Sequence, residues 1–145
     1  MQRVRSARVE VGGEEVSAIE DGLLALVGVG HDDSERDADE LARKLVHLRI
    51  FEDSEGRMNE SLLDTGGALS VVSQFTLFGD VRKGRRPSFE SAARPELAAP
   101  LVERVAEAAR GHGVTTVTGR FQAMMDVSLV NAGPVTLLID TKKVF

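Results

Sequence analysis

The sequence predicts a single α/β domain with a largely antiparallel sheet and two amphipathic helices. Three observations carry this expectation. Apolar residues alternate with polar ones, or run together, in several short segments bounded by Gly, Pro and Asp, as strands require. Two longer segments, 34–48 and 96–110, instead place them at three- and four-residue steps, the period of a helix. No repeat, linker or low-complexity tract divides the 145 residues, so 1–145 reads as one domain.

Arg3 to Val11 alternates, Gly12-Gly13 follows, and Glu15 to Glu20 alternates again. This is the pattern of a β-hairpin with a glycine turn. Leu23 to Val29 is an uninterrupted apolar run between Gly22 and Gly30, which fits a central strand buried on both faces. Ser34 can cap a first helix whose opening turns carry Glu35, Asp37, Asp39 and Glu40, all favourable to the helix dipole. Ala38, Leu41, Ala42, Leu45 and Leu48 would face inward, with Arg43, Lys44 and His47 toward solvent. Asp53 to Arg57 is a polar turn, and Leu69 to Phe78 is a second strong strand candidate running into Gly79-Asp80. The second helix is expected from Glu96 to Arg110, with Leu97, Leu101, Val105 and Ala108 inward and Gly111 as its stop. Pro100 is tolerable only near a first turn, which moves the expected start a few residues later. Val114–Thr118, Phe121–Val130 and Val135–Thr141 read as three closing strands.

Composition removes several classes of function. There are no cysteines, which excludes disulfides, thiolate metal sites and cysteine nucleophiles. No apolar run approaches the ~20 residues of a membrane helix. The alternating N-terminus lacks the apolar core of a secretory signal, so the expected location is the cytoplasm, with no membrane partner. A net charge of −5 argues against a protein that coats nucleic acid indiscriminately. One local basic patch would still serve a structured RNA end. His31, His47 and His112 are scattered without metal-ligand spacing, and no cofactor or metal is expected. No Gly-x-Ser-x-Gly elbow, Walker loop or dinucleotide glycine pattern occurs.

Two segments depart from ordinary strand composition. In Ser73-Gln74-Phe75-Thr76-Leu77, three polar side chains fall within four residues. Buried in a strand, each would need a partner or cost about 1–3 kcal/mol. They read either as a strand end satisfied by nearby backbone or as a pocket floor presenting polar groups to a ligand. In Asn131-Ala132-Gly133-Pro134-Val135-Thr136, Gly allows close backbone approach and Pro fixes φ. Standing alone, such a pair between two strands reads as a turn.

Taken together, Ser-Gln-Phe-Thr-Leu and Asn-x-Gly-Pro-Val-Thr, in this order, resemble the two signature motifs of the D-aminoacyl-tRNA deacylases. The resemblance extends to the Gln2-Arg3-Val4 strand, to Lys83-Gly84-x-Arg86-Pro87-Ser88-Phe89 and to Phe121-x-Ala123-x-Met125. It departs at Gln122 and Ala132, where the family commonly has Gly and Asp. The resemblance implies a three-layer ββα homodimer that hydrolyses the ester between a D-amino acid and the terminal adenosine of tRNA. It also implies glycine as a further substrate.

An activated ester needs a placed water, a stabilised oxyanion and a route for one proton, and oriented backbone N–H groups supply much of the second. The resemblance implies that Ser73, Gln74, Phe75 and Thr76 form the floor and oxyanion side, assisted by the RNA's own 2′-OH. With no general base visible, Thr76 is expected to position rather than attack. Gly133 and Pro134 match a pair that, in the family, is cis-linked and enters the partner subunit's pocket to exclude L side chains. The state of that bond does not follow from the sequence of this chain. Phe121, Met125 and Asn131 are candidate pocket walls, and Phe121 and Met125 read equally well as core. Arg82, Lys83, Arg85 and Arg86 form the densest basic cluster, a candidate contact for acceptor-stem phosphates. Two rival readings are a sibling deacylase with a trans Gly-Pro bond acting on L-alanyl-tRNA, and a non-catalytic tRNA-binding dimer.

Overall fold

A computed structural model describes residues 1–145. β1 (Gln2–Val11) and β2 (Glu14–Ile19) form the expected hairpin. Gly12 and Gly13 have φ of 58° and 81°, the double positive value that a two-residue type I′ turn needs. β3 (Gly22–Val27) continues the line of β2, so both lie antiparallel along one edge of β1. Next come α1 (Glu35–His47), a small hairpin of β4 (Phe51–Glu52) and β5 (Met58–Glu60), and the single turn α2 (Leu62–Thr65). The remaining elements are β6 (Ala68–Ser73), a 3-10 turn (Phe75–Phe78), α3 (Pro95–Gly111), β7 (Thr116–Thr118) and β8 (Asp126–Thr136).

The sheet is mixed rather than largely antiparallel. β6 runs parallel to β3 and to β7, while β8 takes the free edge of β1 in antiparallel register. Each parallel pair is bridged by a helical crossover, which covers the strands and leaves β3 and β6 buried on both faces. Leu23, Ala25, Val27, Leu69 and Val71 pack against Ala42, Leu45 and Val46 of α1 and Leu101, Val105 and Ala106 of α3. On the opposite face Leu24 and Val72 pack with Val4, Val9 and Ile19. The sheet therefore curls so that β1, β2 and β8 form a third layer. Each fully buried Leu in these clusters stabilises the fold by about 2 kcal/mol.

Several expected elements are corrected. The strand expected over Leu69–Phe78 stops at Ser73, because Gln74 leaves extended geometry (φ −145°, ψ 80°) and the next four residues form the 3-10 turn. The strand expected over Leu23–Val29 ends at Val27. Phe121–Ala123 belongs to a turn, and β8 starts only at Asp126. Gly133-Pro134 lies within β8 instead of separating two strands: five steps along β8, Asn131 to Thr136, face two steps of β1. α3 begins at Pro95, where a missing N–H costs nothing. Pro100 is interior to the helix but exposed, so water reaches the carbonyl it leaves unbonded. The inward face of α3 is Ala98, Leu101, Val102, Val105, Ala106 and Ala109, whereas Leu97 is exposed and Ala108 is half-buried. Its alanines let α3 approach Ala38 and Ala42 of α1 closely. The bidentate Arg104–Asp39 pair, at 2.8 Å for both contacts, ties the helices together at the rim.

Candidate active site

The carboxyl ends of β3, β6 and β7 point the same way, and the first motif sits there. Leaving β6, Gln74 donates its N–H to the Val27 carbonyl at 2.8 Å. The 3-10 turn then closes with Leu77 N–H on the Gln74 carbonyl and Gly79 N–H on Thr76. No hydrogen bond within the chain uses the N–H of Phe75 or Thr76. These are adjacent donors at the start of a turn, where backbone N–H groups have no internal acceptor. The Phe78 ring fixes the turn against β3. A Cβ at Gly28 or Gly30 would come within 3.0 or 3.1 Å of that ring, so only glycine lets it lie so close.

Around this pair of donors, the Gln74 amide donates to Thr76 Oγ1, and Ser73 is half-buried. Phe75 is 58% exposed and meets Phe89 edge-to-face at 5.1 Å. On the β7 side, Val71 pairs with Thr118 and the Gly119 N–H reaches the Val71 carbonyl at 3.0 Å. Arg120 and Phe121 follow where the chain leaves the carboxyl end of β7. Phe121 leans on the helix-side core and Met125 on the other cluster, with the Met125 sulfur 3.4 Å from the Arg120 N–H. Both side chains are half-buried, part wall and part core. Gln122 turns the chain here with φ 60°.

The second motif lies elsewhere. The Gly133-Pro134 peptide is cis and both residues are exposed. The Asn131 side chain braces the backbone around them, accepting from the Val135 N–H at 2.7 Å and donating to the Val135 carbonyl at 3.1 Å. Arg3 reaches from β1 to the Ala132 carbonyl at 2.9 Å and the Ile50 carbonyl at 2.6 Å. Sequence reasoning gave Arg3 no role, although an arginine at a half-buried strand position signals such a task. Between this motif and the first one stand β1 and β3. Three strand steps amount to about 14 Å measured along the sheet.

The basic loop is closed by paired hydrogen bonds between Asp80 and Ser88 at 2.7 and 2.9 Å. Within it Arg82 is already engaged, gripping Asp80 through Nε at 2.9 Å and Nη2 at 2.7 Å. Hydrogen bonds from Arg82 hold the Asp80 carboxyl down to about 2. Lys83, Arg85 and Arg86 are exposed and enter no ion pair. No group of three or more His, Asp or Glu side chains could hold a metal ion.

The family model for D-Tyr-tRNA(Tyr) deacylase matches residues 1–140. The chain belongs to the D-Tyr-tRNA(Tyr) deacylase family. Curated relatives named D-aminoacyl-tRNA deacylase include one from Thermus aquaticus, 57% identical over 99% of this chain and 94% of the relative. Another, from Chloroflexus aurantiacus, is 60% identical over 97% of this chain and 88% of the relative. Among solved structures, the c-Myc DNA unwinding element binding protein superposes with a TM-score of 0.89 at 36% identity, covering 97% of this chain and 95% of that one. A probable eukaryotic D-amino acid tRNA deacylase shares the fold, with a TM-score of 0.77 at 18% identity over 92% of both chains. The deacylase family thus accounts for the chain along nearly its whole length.

Proposed function

We propose that this chain hydrolyses the ester of D-aminoacyl-tRNA, releasing the free D-amino acid and tRNA. Membership of the deacylase family makes it a hydrolase, not a passive RNA-binding module. The observation that carries the mechanism is the pair of unengaged N–H groups on Phe75 and Thr76. In the proposed step, water adds to the ester carbonyl carbon and the carbonyl oxygen becomes an oxyanion facing those two donors. The C–O bond to the ribose then breaks as the water's proton passes through the neighbouring 2′-OH of the RNA to the departing ribose oxygen, which leaves as the free hydroxyl. One such donor is worth about 3 kcal/mol to the barrier. Thr76, tied to the Gln74 amide, orients the turn and does not attack.

Chirality is assigned to Gly133 and Pro134 of a second copy. Their exposure, their bracing by Asn131 and Arg3, and their distance from Ser73–Thr76 within one chain all favour a homodimer in which each subunit lends the pair to its partner's pocket. A screen made of backbone leaves no room for an L side chain and ignores what a D side chain is. Glycine, having none, passes, so glycyl-tRNA is a second substrate. Phe121 and Met125 wall the pocket, and Lys83, Arg85 and Arg86 meet the acceptor end. The cytoplasm, where charged tRNA is found, is the assigned location; no helix is long and apolar enough to cross a membrane.

The test is ester loss from D-tyrosyl-, L-tyrosyl- and glycyl-tRNA against time. Loss of the D and glycyl esters with the L ester spared is expected. Equal loss of D and L esters would remove the chiral screen, and no loss of any would remove the deacylase reading.

A further inference from the structure

The chain carries 23 carboxylates against 18 cations, so an arginine has acceptors in excess. Accordingly Arg5, Arg8, Arg57, Arg82, Arg104 and Arg110 each meet a carboxylate. Other arginines, among them Arg36, Arg43 and Arg94, form no ion pair, and what sets the first-motif end of the sheet apart is that several such cations gather there. Lys83, Arg85 and Arg86 leave it unpaired, and so does Arg120, whose guanidinium is exposed and makes no hydrogen bond or ion pair. An unpaired cluster in an acidic chain leaves a local positive potential that draws an anion.

The positions of these cations give the potential a shape. Phe78 before the loop lies against Gly30, and Ala92 after it forms a bridge to the same residue, so the basic loop rises on the β3 side of the motif. Arg120 stands on the β7 side, set there by the register of β7 on β6 and by the Gly119–Val71 hydrogen bond. Its backbone is fixed by the Met125 sulfur at 3.4 Å and by the Ala123 N–H on its own carbonyl at 3.2 Å. The turn of unengaged N–H groups runs between these two sides.

We propose that Arg120 is a second phosphate contact, facing the Lys83–Arg86 loop across the pocket, so that the single-stranded 3′ end of the RNA is gripped from both sides of the ester. The inference rests on the deacylase reading and adds to it a positioning residue. Arg120 touches a backbone phosphate and not the reacting atoms, so it acts on binding and orientation.

The experiment compares wild type, Arg120→Gln, Arg120→Lys and the charge control Arg43→Gln, which alters the exposed face of α1. Each is assayed on D-tyrosyl-tRNA at several salt concentrations and on D-tyrosyl-adenosine, an ester without phosphates. Arg120→Gln is expected to raise KM for the tRNA several-fold with kcat little changed. It should also lower the slope of log(kcat/KM) against log salt by about one, and leave the adenosine ester unaffected. Arg120→Lys should keep the wild-type slope, and Arg43→Gln should change nothing. An unchanged slope in Arg120→Gln, or an equal loss on the adenosine ester, overturns the proposal while leaving the deacylase reading in place. Inactivity of the wild type on both substrates removes both.

Discussion

Gln122 holds φ at 60°, where a side chain with a Cβ costs roughly 1–2 kcal/mol relative to right-handed backbone. Glycine adopts that geometry freely. Gln122→Gly is therefore expected to raise stability by about 1 kcal/mol, read as a shifted denaturation midpoint with an unchanged m-value. The other departure has no such cost. Ala132 serves Arg3 through its main-chain carbonyl, so the missing carboxylate leaves that contact intact. At Thr76 the expected outcome separates positioning from attack. Thr76→Val should lower kcat about tenfold, whereas a loss nearer 10⁴-fold in single-turnover assays would mark a nucleophile. The two motifs mark the residues proposed for the site. A main-chain role for Ser73 to Thr76 was expected from the resemblance, but which N–H groups are unengaged was not legible, because every residue but proline carries one and only the turn leaves those of Phe75 and Thr76 without a partner.

Among the elements, α1 was the most legible, from the Ser34 boundary to its inward alanines and leucines. Its first turn also holds a contact that no period announces. Lys142, near the far end of the chain, reaches Asp37 at 3.0 Å, and Asp37 also accepts from the Ser34 N–H at 2.9 Å. Burial disfavours the ionised Asp37, but the hydrogen bonds from Lys142 and Ser34 outweigh it and hold the carboxyl well below the usual carboxylate range. Because the folded value is depressed, the stabilisation is complete above the unfolded value of about 4 and is lost as pH falls below it. Asp37→Asn should cost about 1–2 kcal/mol at pH 7, and the gap to wild type should narrow below pH 4 in thermal unfolding. The end of β6 was illegible for a similar reason. Phe75 to Phe78 has strand composition, and its turn is imposed by Phe78 packing on Gly28 and Gly30, some fifty residues earlier in the chain.

At the scale of the whole molecule, the helix and strand periods were readable but the strand directions were not. Periodicity says which face is buried, while parallel pairing of β3, β6 and β7 depends on how the crossovers return. The proposed sharing of the site between two subunits leads to a test by subunit mixing. A variant altered at Pro134 and the variant Phe75→Pro, which removes one of the two proposed N–H donors, should each be nearly inactive. If subunits exchange freely, a refolded equal mixture should recover about one quarter of wild-type activity, since half the dimers would carry one intact site of two. Recovery of nothing, with mixed dimers confirmed by mass, would place both motifs in the same subunit's site.

β1 pairs with β8 from Gln2↔Thr136 to Glu10↔Asp126, and this long-range ladder bears on how the protein is made. During synthesis, one edge of the first strand has no mate until more than a hundred further residues have left the ribosome. At about 5–20 residues per second this wait is on the order of ten seconds, during which open N–H and C=O groups are available to any extended stretch nearby. A protein assigned to guard translation thus has its own hazardous interval while it is being translated.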